Sequence, residues 1–98
     1  MQPILSKQQK SRLRALAHTK RPLIMIGSPG LSENIFVALE EALDRHELVK
    51  IKIGCGDREA REKIAIQLLE KSGAEKIQRI GNMLTLYRRN DKAPVIQI

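Results

Sequence analysis

The stretch of sequence that decides the fold is LIMIGSPGLS, residues 23–32. Its first four residues are all apolar and follow Pro22, which ends any helix before it, so they predict a short buried strand. The next four, Gly27-Ser28-Pro29-Gly30, are typical turn residues, and Ser32 is a suitable N-cap for a helix that follows. The stretch therefore predicts a strand, a tight glycine turn and a helix in direct succession.

Outward from this stretch, the sequence has the patterns of two more helices and three more strands. Ser6 and Gln9 have the spacing of a capping box at the start of a helix. Asp57 is a suitable N-cap for a helix that runs to about Ser72, and Gly81-Asn82 has the pattern of a type II′ hairpin turn. The predicted strands are residues 23–26, 48–53, 76–80 and 83–88.

The predicted order is α-β-α-β-α-β-β. Two strand–helix–strand units imply parallel pairing through crossovers, whereas the final hairpin must be antiparallel. We therefore expect an α/β (α+β) fold, with a four-stranded mixed sheet packed with three helices. Residues 1–98 are expected to form a single domain with a core of about residues 3–89 and a short tail, residues 90–98. The pattern leaves open which face of the sheet each helix covers.

The composition is that of a small basic domain with a core. The chain has 98 residues, 42% of them hydrophobic, and 18 Lys and Arg against 11 Asp and Glu give a net charge of +7. One cysteine excludes an internal disulfide framework. No apolar run reaches the length of a membrane span and no signal-peptide pattern opens the chain, so we expect a cytoplasmic protein without a membrane partner.

The charge is divided along the chain. Residues 1–31 carry six bases and no acid, whereas residues 32–48 carry five acids and one base. Such segregation suits a domain that presents one face to a polyanion and another to water. The alternative is an ordinary solvated surface with salt bridges, which charge runs often are.

The turn Gly27–Gly30 is a candidate phosphate site. Glycines let another molecule approach the backbone, and the N-terminus of the next helix, including N–H groups of Gly30 and Leu31, favours negative charge. The four-residue spacing matches the loop with which KH domains clamp a nucleic-acid backbone, and it is neither a P-loop nor a dinucleotide fingerprint. The alternative is a tight turn without a ligand. Nearby bases that could continue a phosphate track are Lys20, Arg21, Lys50 and Lys52.

Candidate catalytic and metal-binding groups are few. Cys55 and His46 could form a thiol and its base, but nothing in their spacing brings them together or supplies an orienting group. Two histidines and one cysteine have no zinc-ligand spacing. Tyr87 and Phe36 are the only aromatic residues, so a stacking surface like that of an RRM is not available. We therefore expect a protein that is not an enzyme and has no cofactor or metal.

Several stretches together resemble one known family. Residues 23–32, the segment Glu47–Lys52, Asp57-Arg58-Glu59 and the segment Gly81–Arg88 are similar to the CRM (chloroplast RNA splicing and ribosome maturation) domain. The opening Leu5–Lys10 fits the same pattern, so the resemblance covers about residues 3–89. Within the family, the chain is most similar to small bacterial single-domain YhbY-like proteins.

The resemblance implies a fold related to the C-terminal domain of bacterial translation initiation factor three. It also implies RNA binding through the glycine loop and the basic surface beside it. For the bacterial members it implies association with ribosomal RNA in precursors of the large ribosomal subunit, with ribosomal proteins as further partners. We expect a monomer.

The predicted RNA-binding site combines residues indicated by the sequence pattern with residues that the family resemblance implies. Arg58 could extend the basic surface from the third helix, and Arg88 enters through the family resemblance. The alternative function is a module that docks on acidic ribosomal or assembly proteins through the same basic surface. The predicted RNA-binding residues are Lys20, Arg21, Gly27, Ser28, Pro29, Gly30, Leu31, Lys50, Lys52, Arg58 and Arg88.

Overall fold

The structure is a computed structural model that describes residues 5–28 and 30–97. Within them it has three helices and four strands in the predicted order, which confirms the predicted fold class. None of the helices described is long and apolar enough to span a membrane. The elements are α1 (Lys7–His18), β1 (Ile24–Ile26), α2 (Glu33–His46), β2 (Leu48–Ile53), α3 (Arg58–Ser72), β3 (Glu75–Ile80) and β4 (Met83–Tyr87).

Side chains cap the first turn of each helix, as the sequence predicts. Ser6 Oγ accepts the N–H of Gln9 at 3.0 Å, and Gln9 Oε1 accepts the N–H of Ser6 at 2.9 Å, which completes the capping box. Ser32 Oγ accepts the N–H of Ile35 at 3.4 Å, and Asp57 caps α3 in the same way. These caps satisfy donors that a helix leaves unpaired and fix where each helix begins.

The sheet has the strand order β1-β2-β4-β3. β1 and β2 are parallel, whereas β4 is antiparallel to both of its neighbours. Gly81 has a φ of 57° between the paired residues Ile80 and Met83, as the predicted two-residue hairpin turn requires at its first position. The carboxyl ends of β1 and β2 and this hairpin turn therefore lie at the same edge of the sheet, which we call the loop edge.

The two faces of the sheet carry two separate cores. α2 and α3 cover one face, where strand residues such as Ile51 and Leu84 pack in one cluster with Leu39. α1 covers part of the opposite face, where its Leu13 shares a cluster with Tyr87 of β4. The question that the sequence left open is thus answered: α1 lies across the sheet from α2 and α3. We call the side on which α1 lies the α1 face.

A buried glutamate fastens the C-terminal tail to the domain. Glu47 is 0% exposed and has a φ of 63°. Its carboxylate accepts the backbone N–H groups of Asn90 at 2.7 Å, Val95 at 2.8 Å and Ile96 at 2.6 Å. The side chain of Ile96 packs against the core under α1. Residues 90–97, which the sequence suggests are a short tail beyond the core, are therefore held on the domain by charge-assisted hydrogen bonds.

Tyr87 should ionise only above the ordinary range of a tyrosine. Burial of the phenol raises the pKa of Tyr87 above its ordinary value of 10.0, and the carboxylate of Glu47 raises it further. Because the chain has one tyrosine, the near-ultraviolet absorbance of tyrosinate follows this residue alone. We expect a titration midpoint above 10.0 in the folded protein and an ordinary midpoint in denaturant. A folded midpoint at or below the ordinary value would contradict the burial.

The raised pKa of Tyr87 also gives the direction in which pH changes stability. As the pH rises, the unfolded chain loses its phenol proton first, because the folded pKa is the higher one. The contribution of Tyr87 to the free energy of unfolding is therefore fully present below about pH 10 and is lost as the pH rises through the folded pKa. In a Tyr87→Phe variant, this part of the pH dependence should be absent from denaturant unfolding curves.

Candidate nucleic-acid interface

The glycine loop lies at the loop edge, between β1 and α2. Gly30 has a φ of 76°, and its N–H donates to the carbonyl of Gly27 at 2.9 Å, which closes the turn. A Cβ added to Gly30 would meet nothing within 4 Å, so the backbone conformation and not packing favours a glycine there. Gly27 and Ser28 are exposed, and the predicted Pro29 lies outside the described residues.

The hydrogen bond within the turn corrects one expectation about phosphate binding. The N–H of Gly30 is used by Gly27, and the side chain of Leu31 packs against the core between the sheet and α2. Ser32 already accepts the N–H of Ile35, so the donors of the first turn that the cap leaves are the N–H groups of Glu33 and Asn34. Glu33 also lies in that turn, and its carboxylate opposes an anion. The loop alone is therefore a weak anion site, and cationic side chains must supply most of the attraction.

Two further loops meet the glycine loop at this edge. The N–H of Gly54 donates to the carbonyl of Ile26 at 2.9 Å, and the N–H of Ile53 donates to the carbonyl of Asn82 at 2.7 Å. Arg58 begins α3 at the same edge and is exposed. The loop edge thus combines three backbone turns with one of the predicted bases.

The other predicted bases on the α1 face form a second group. Lys50 Nζ donates to the carbonyl of Ala17 at 3.2 Å, near the C-terminus of α1. Lys20 and Arg21 are exposed and line a shallow pocket of about 160 Å³ together with Lys50. Lys52 is exposed on the same face of β2, nearer the loop edge. The structure therefore brings Lys20, Arg21 and Lys50 together, and Lys52 lies between this group and the loops.

Arg88 does not belong to this surface, and its predicted role is corrected. Its guanidinium lies 2.7 Å from Glu40 Oε2 and 3.0 Å from Asp44 Oδ1, and it donates to the carbonyl of Ser72 at 2.9 Å. The hydrogen bond with Glu40 raises the pKa of Arg88. The residue follows Tyr87, at the end of the sheet opposite the loop edge. Arg88 therefore ties β4 to α2 and α3, and both of its terminal nitrogens are already used.

The sheet separates the bases of α1 from the acids of α2, whereas α3 carries four bases and three acids. α1 carries four bases and no acid, and the bases Lys50 and Lys52 project from the same face of the sheet. α2, on the other side, carries Glu33, Glu40, Glu41 and Asp44. The sequence contains both charge clusters but no signal for the side of the sheet on which α1 packs, so this separation could not be read from it. The bases of α1 are Lys7, Lys10, Arg12 and Arg14.

Groups that could carry catalysis are dispersed. Cys55 and His46 flank β2 at opposite ends, so about 20 Å of extended chain separates them. Cys55 is half-buried against the core. Within residues 5–28 and 30–97, no group of three or more His, Cys, Asp or Glu side chains is arranged to hold a metal ion. Among the described residues, the exposed basic surface is therefore the strongest candidate for a functional site.

Comparison with known proteins identifies the family. The sequence profile of the CRS1 / YhbY (CRM) domain matches residues 5–88, nearly the whole chain. The chain belongs to the CRM domain family. This confirms the resemblance found in the sequence, and the matched residues run from the segment before α1 to the end of β4.

Two relatives of this CRM domain are named as RNA-binding or probable RNA-binding proteins. A protein of Haemophilus influenzae named RNA-binding protein is 38% identical over 91 residues, which are 93% of this chain and 92% of the relative. Probable RNA-binding protein YqeI of Bacillus subtilis is 30% identical over 95 residues, 97% of this chain and 99% of the relative.

A solved structure has the same fold as this CRM domain. The solution structure of the hypothetical protein SAV1595 of Staphylococcus aureus, described there as a candidate RNA-binding protein, superposes with a TM-score of 0.72. The two proteins are 32% identical, and the superposition covers 88% of this chain and 90% of the other. The two proteins therefore have the same fold.

Proposed function

We propose that this CRM domain binds RNA through its α1 face and loop edge, and that its target is ribosomal RNA in precursors of the large ribosomal subunit. The observation that carries the proposal is the separation of charge by the sheet, with bases on the α1 face and acids on α2. The names of the relatives support RNA as the ligand. The ribosomal target rests on the resemblance to the bacterial single-domain members of the family.

The proposed contact is mainly with phosphates. Lys20 and Arg21, together with the bases of α1, form a cationic surface that can follow an RNA backbone, and Lys52 and Arg58 extend it to the loop edge. The glycine loop lets the backbone approach closely and fixes the register of the RNA. Such contacts position a nucleic acid without reading its bases, so affinity should depend on charge and shape more than on sequence. The role is that of an assembly factor, with no reaction catalysed and no cofactor.

Two variants of Gly30 test whether the loop lies against RNA. Asp and Asn both tolerate a positive φ better than other residues, and open space surrounds the position, so both should fold. Gly30→Asp adds a negative charge where a phosphate approaches and should weaken binding about tenfold, whereas Gly30→Asn should weaken it much less. Filter binding to ribosomal RNA measures both. If Gly30→Asp binds RNA as tightly as the parent does, the glycine loop is a turn that does not contact RNA.

The rival function makes a different prediction in cell extracts. If the basic surface docks on acidic proteins of the ribosome, a pull-down with this CRM domain should survive treatment with ribonuclease. We expect ribonuclease to release the large-subunit precursors. Retention of the same ribosomal proteins after the RNA is digested would contradict RNA binding as the basis of the association.

A further inference from the structure

A row of three apolar side chains and one lysine crosses the α1 face next to the loop edge. In the sheet register, Met25 of β1 lies beside Lys52 of β2, Lys52 beside Met83 of β4, and Met83 beside Ile80 of β3. Side chains of directly paired residues project from the same face, so these four form one line across the sheet, about 14 Å long. We call these four residues the open row.

The open row is unusually exposed for its composition. Met25 is 67% exposed and Ile80 is 64% exposed, and Lys52 between them is also exposed. α1 packs at the other end of this face, over Leu48 and Tyr87, and leaves the row uncovered. With the aliphatic stem of Lys52 between them, these side chains form one exposed apolar patch, and such a patch on a folded domain typically marks a site of interaction.

The charges around the open row favour a polyanion as its partner. Lys52 lies within the row, and the next row of the same face consists of Lys50, Thr85 and Gln78, with no acid in either. The glycine loop begins two residues after Met25, so the row is continuous with the loop edge. A polyanionic ligand would therefore meet one cation within the row, Lys52, and a second, Lys50, in the next row.

We propose that the open row binds the faces of unpaired nucleobases of the RNA that the basic surface holds. This inference rests on the proposed function and names the form of RNA that the site takes. In a duplex, base faces are stacked inside the helix and only phosphates, sugars and base edges are accessible, so apolar side chains gain nothing from it. Unpaired bases can lie flat on the row, where the thioethers of Met25 and Met83 make favourable contacts with aromatic rings. Lys52 then holds the phosphate that links neighbouring bases.

The proposal makes a prediction that phosphate contact alone does not. Phosphate contacts act equally on paired and unpaired RNA of similar charge density, and they weaken as salt rises. Contacts between bases and the open row add a salt-independent part for unpaired RNA alone. This CRM domain should therefore bind an unpaired oligonucleotide more tightly than a duplex at high salt, where the electrostatic part is small.

The test compares a Met25→Ser/Ile80→Ser variant with the parent, on an unpaired RNA of about twelve nucleotides and on a duplex of the same length. The matched control is Val37→Ser/Ile66→Ser, because Val37 and Ile66 are also exposed, at 56% and 45%, but lie on α2 and α3. We expect the open-row variant to bind unpaired RNA about tenfold more weakly, with duplex binding and the salt slope unchanged. The control should match the parent on both probes.

Each other outcome has a distinct meaning. If the open-row variant binds unpaired RNA as tightly as the parent does, the inference is wrong but the proposed function stands. The same conclusion follows if the parent binds only the duplex. Equal losses on both probes, with thermal unfolding like that of the parent, also overturn it. A parent that binds neither probe overturns the proposed function itself. The single variants Met25→Ser and Ile80→Ser are measured as well. If the double variant does not fold, the single variants still test the inference.

Discussion

RNA should bind this CRM domain about a thousandfold more weakly at about 200 mM salt than at about 50 mM salt. The α1 face carries the bases of α1 with Lys20, Arg21, Lys50 and Lys52, enough to contact about six phosphates. Each neutralised phosphate releases a bound counterion, so the logarithm of the affinity falls with the logarithm of the salt concentration. Because seven of the eleven acids lie across the sheet on α2 and α3, they do not offset this surface.

Filter binding to ribosomal RNA over this salt range measures the effect. Denaturant unfolding at both salt concentrations is the control, since salt should leave the folded fraction of the domain unchanged. A response to salt that is flat would contradict an interface built on phosphate contacts. If the affinity falls only severalfold, the interface contains one or two phosphate contacts at most.

Loss of the Glu47 carboxylate should destabilise the domain strongly. Glu47→Gln keeps the volume of the side chain but replaces a charged acceptor of three N–H groups by an amide whose NH₂ faces donors. Hydrogen bonds to a charged acceptor stabilise a fold more than neutral ones do, and the substitution weakens all three at once. We therefore expect the free energy of unfolding to fall by about 3 kcal/mol. Amide hydrogen exchange at Asn90, Val95 and Ile96 should become fast.

Two controls separate the carboxylate from other effects. Glu41→Gln removes an exposed carboxylate of α2 and should change stability little. Glu47→Gly relieves the φ of 63° but has no carboxylate, so it should also destabilise the domain if the hydrogen bonds matter more than the backbone. A Glu47→Gln variant as stable as the parent, with the tail amides still protected, would contradict the anchoring role.

The parts of the fold that the sequence predicts correctly are local. The capping box of Ser6 and Gln9, the N-caps Ser32 and Asp57 and the turn at Gly81 all depend on residues a few positions apart. In β2, the alternation of Val49, Ile51 and Ile53 with Lys50 and Lys52 matches the buried side of the strand, whereas Leu48 on the lysine side is buried by α1. These signals work because each records a hydrogen bond or a burial within one element.

The parts that the sequence does not predict depend on contacts between distant elements. Arg88 is a base at the end of a strand, and nothing near it in the sequence indicates that Glu40 and Asp44 pair with it. Glu47 lies in an acidic segment and is typical of a solvated residue, yet it is fully buried by a tail more than forty residues further along. The open row appears only when strand order and register are known, since its members come from four different strands.

The salt dependence of two matched double variants tests the central claim most directly. Arg21→Gln/Lys52→Gln removes two exposed bases from the α1 face, and Arg45→Gln/Lys63→Gln removes two exposed bases from α2 and α3, with the same change in net charge. If RNA lies on the α1 face, the slope of log affinity against log salt should become shallower by about 1.4 to 1.8 in the first variant and stay at the parent value in the second. Equal slopes for the two variants would contradict an RNA interface on the α1 face.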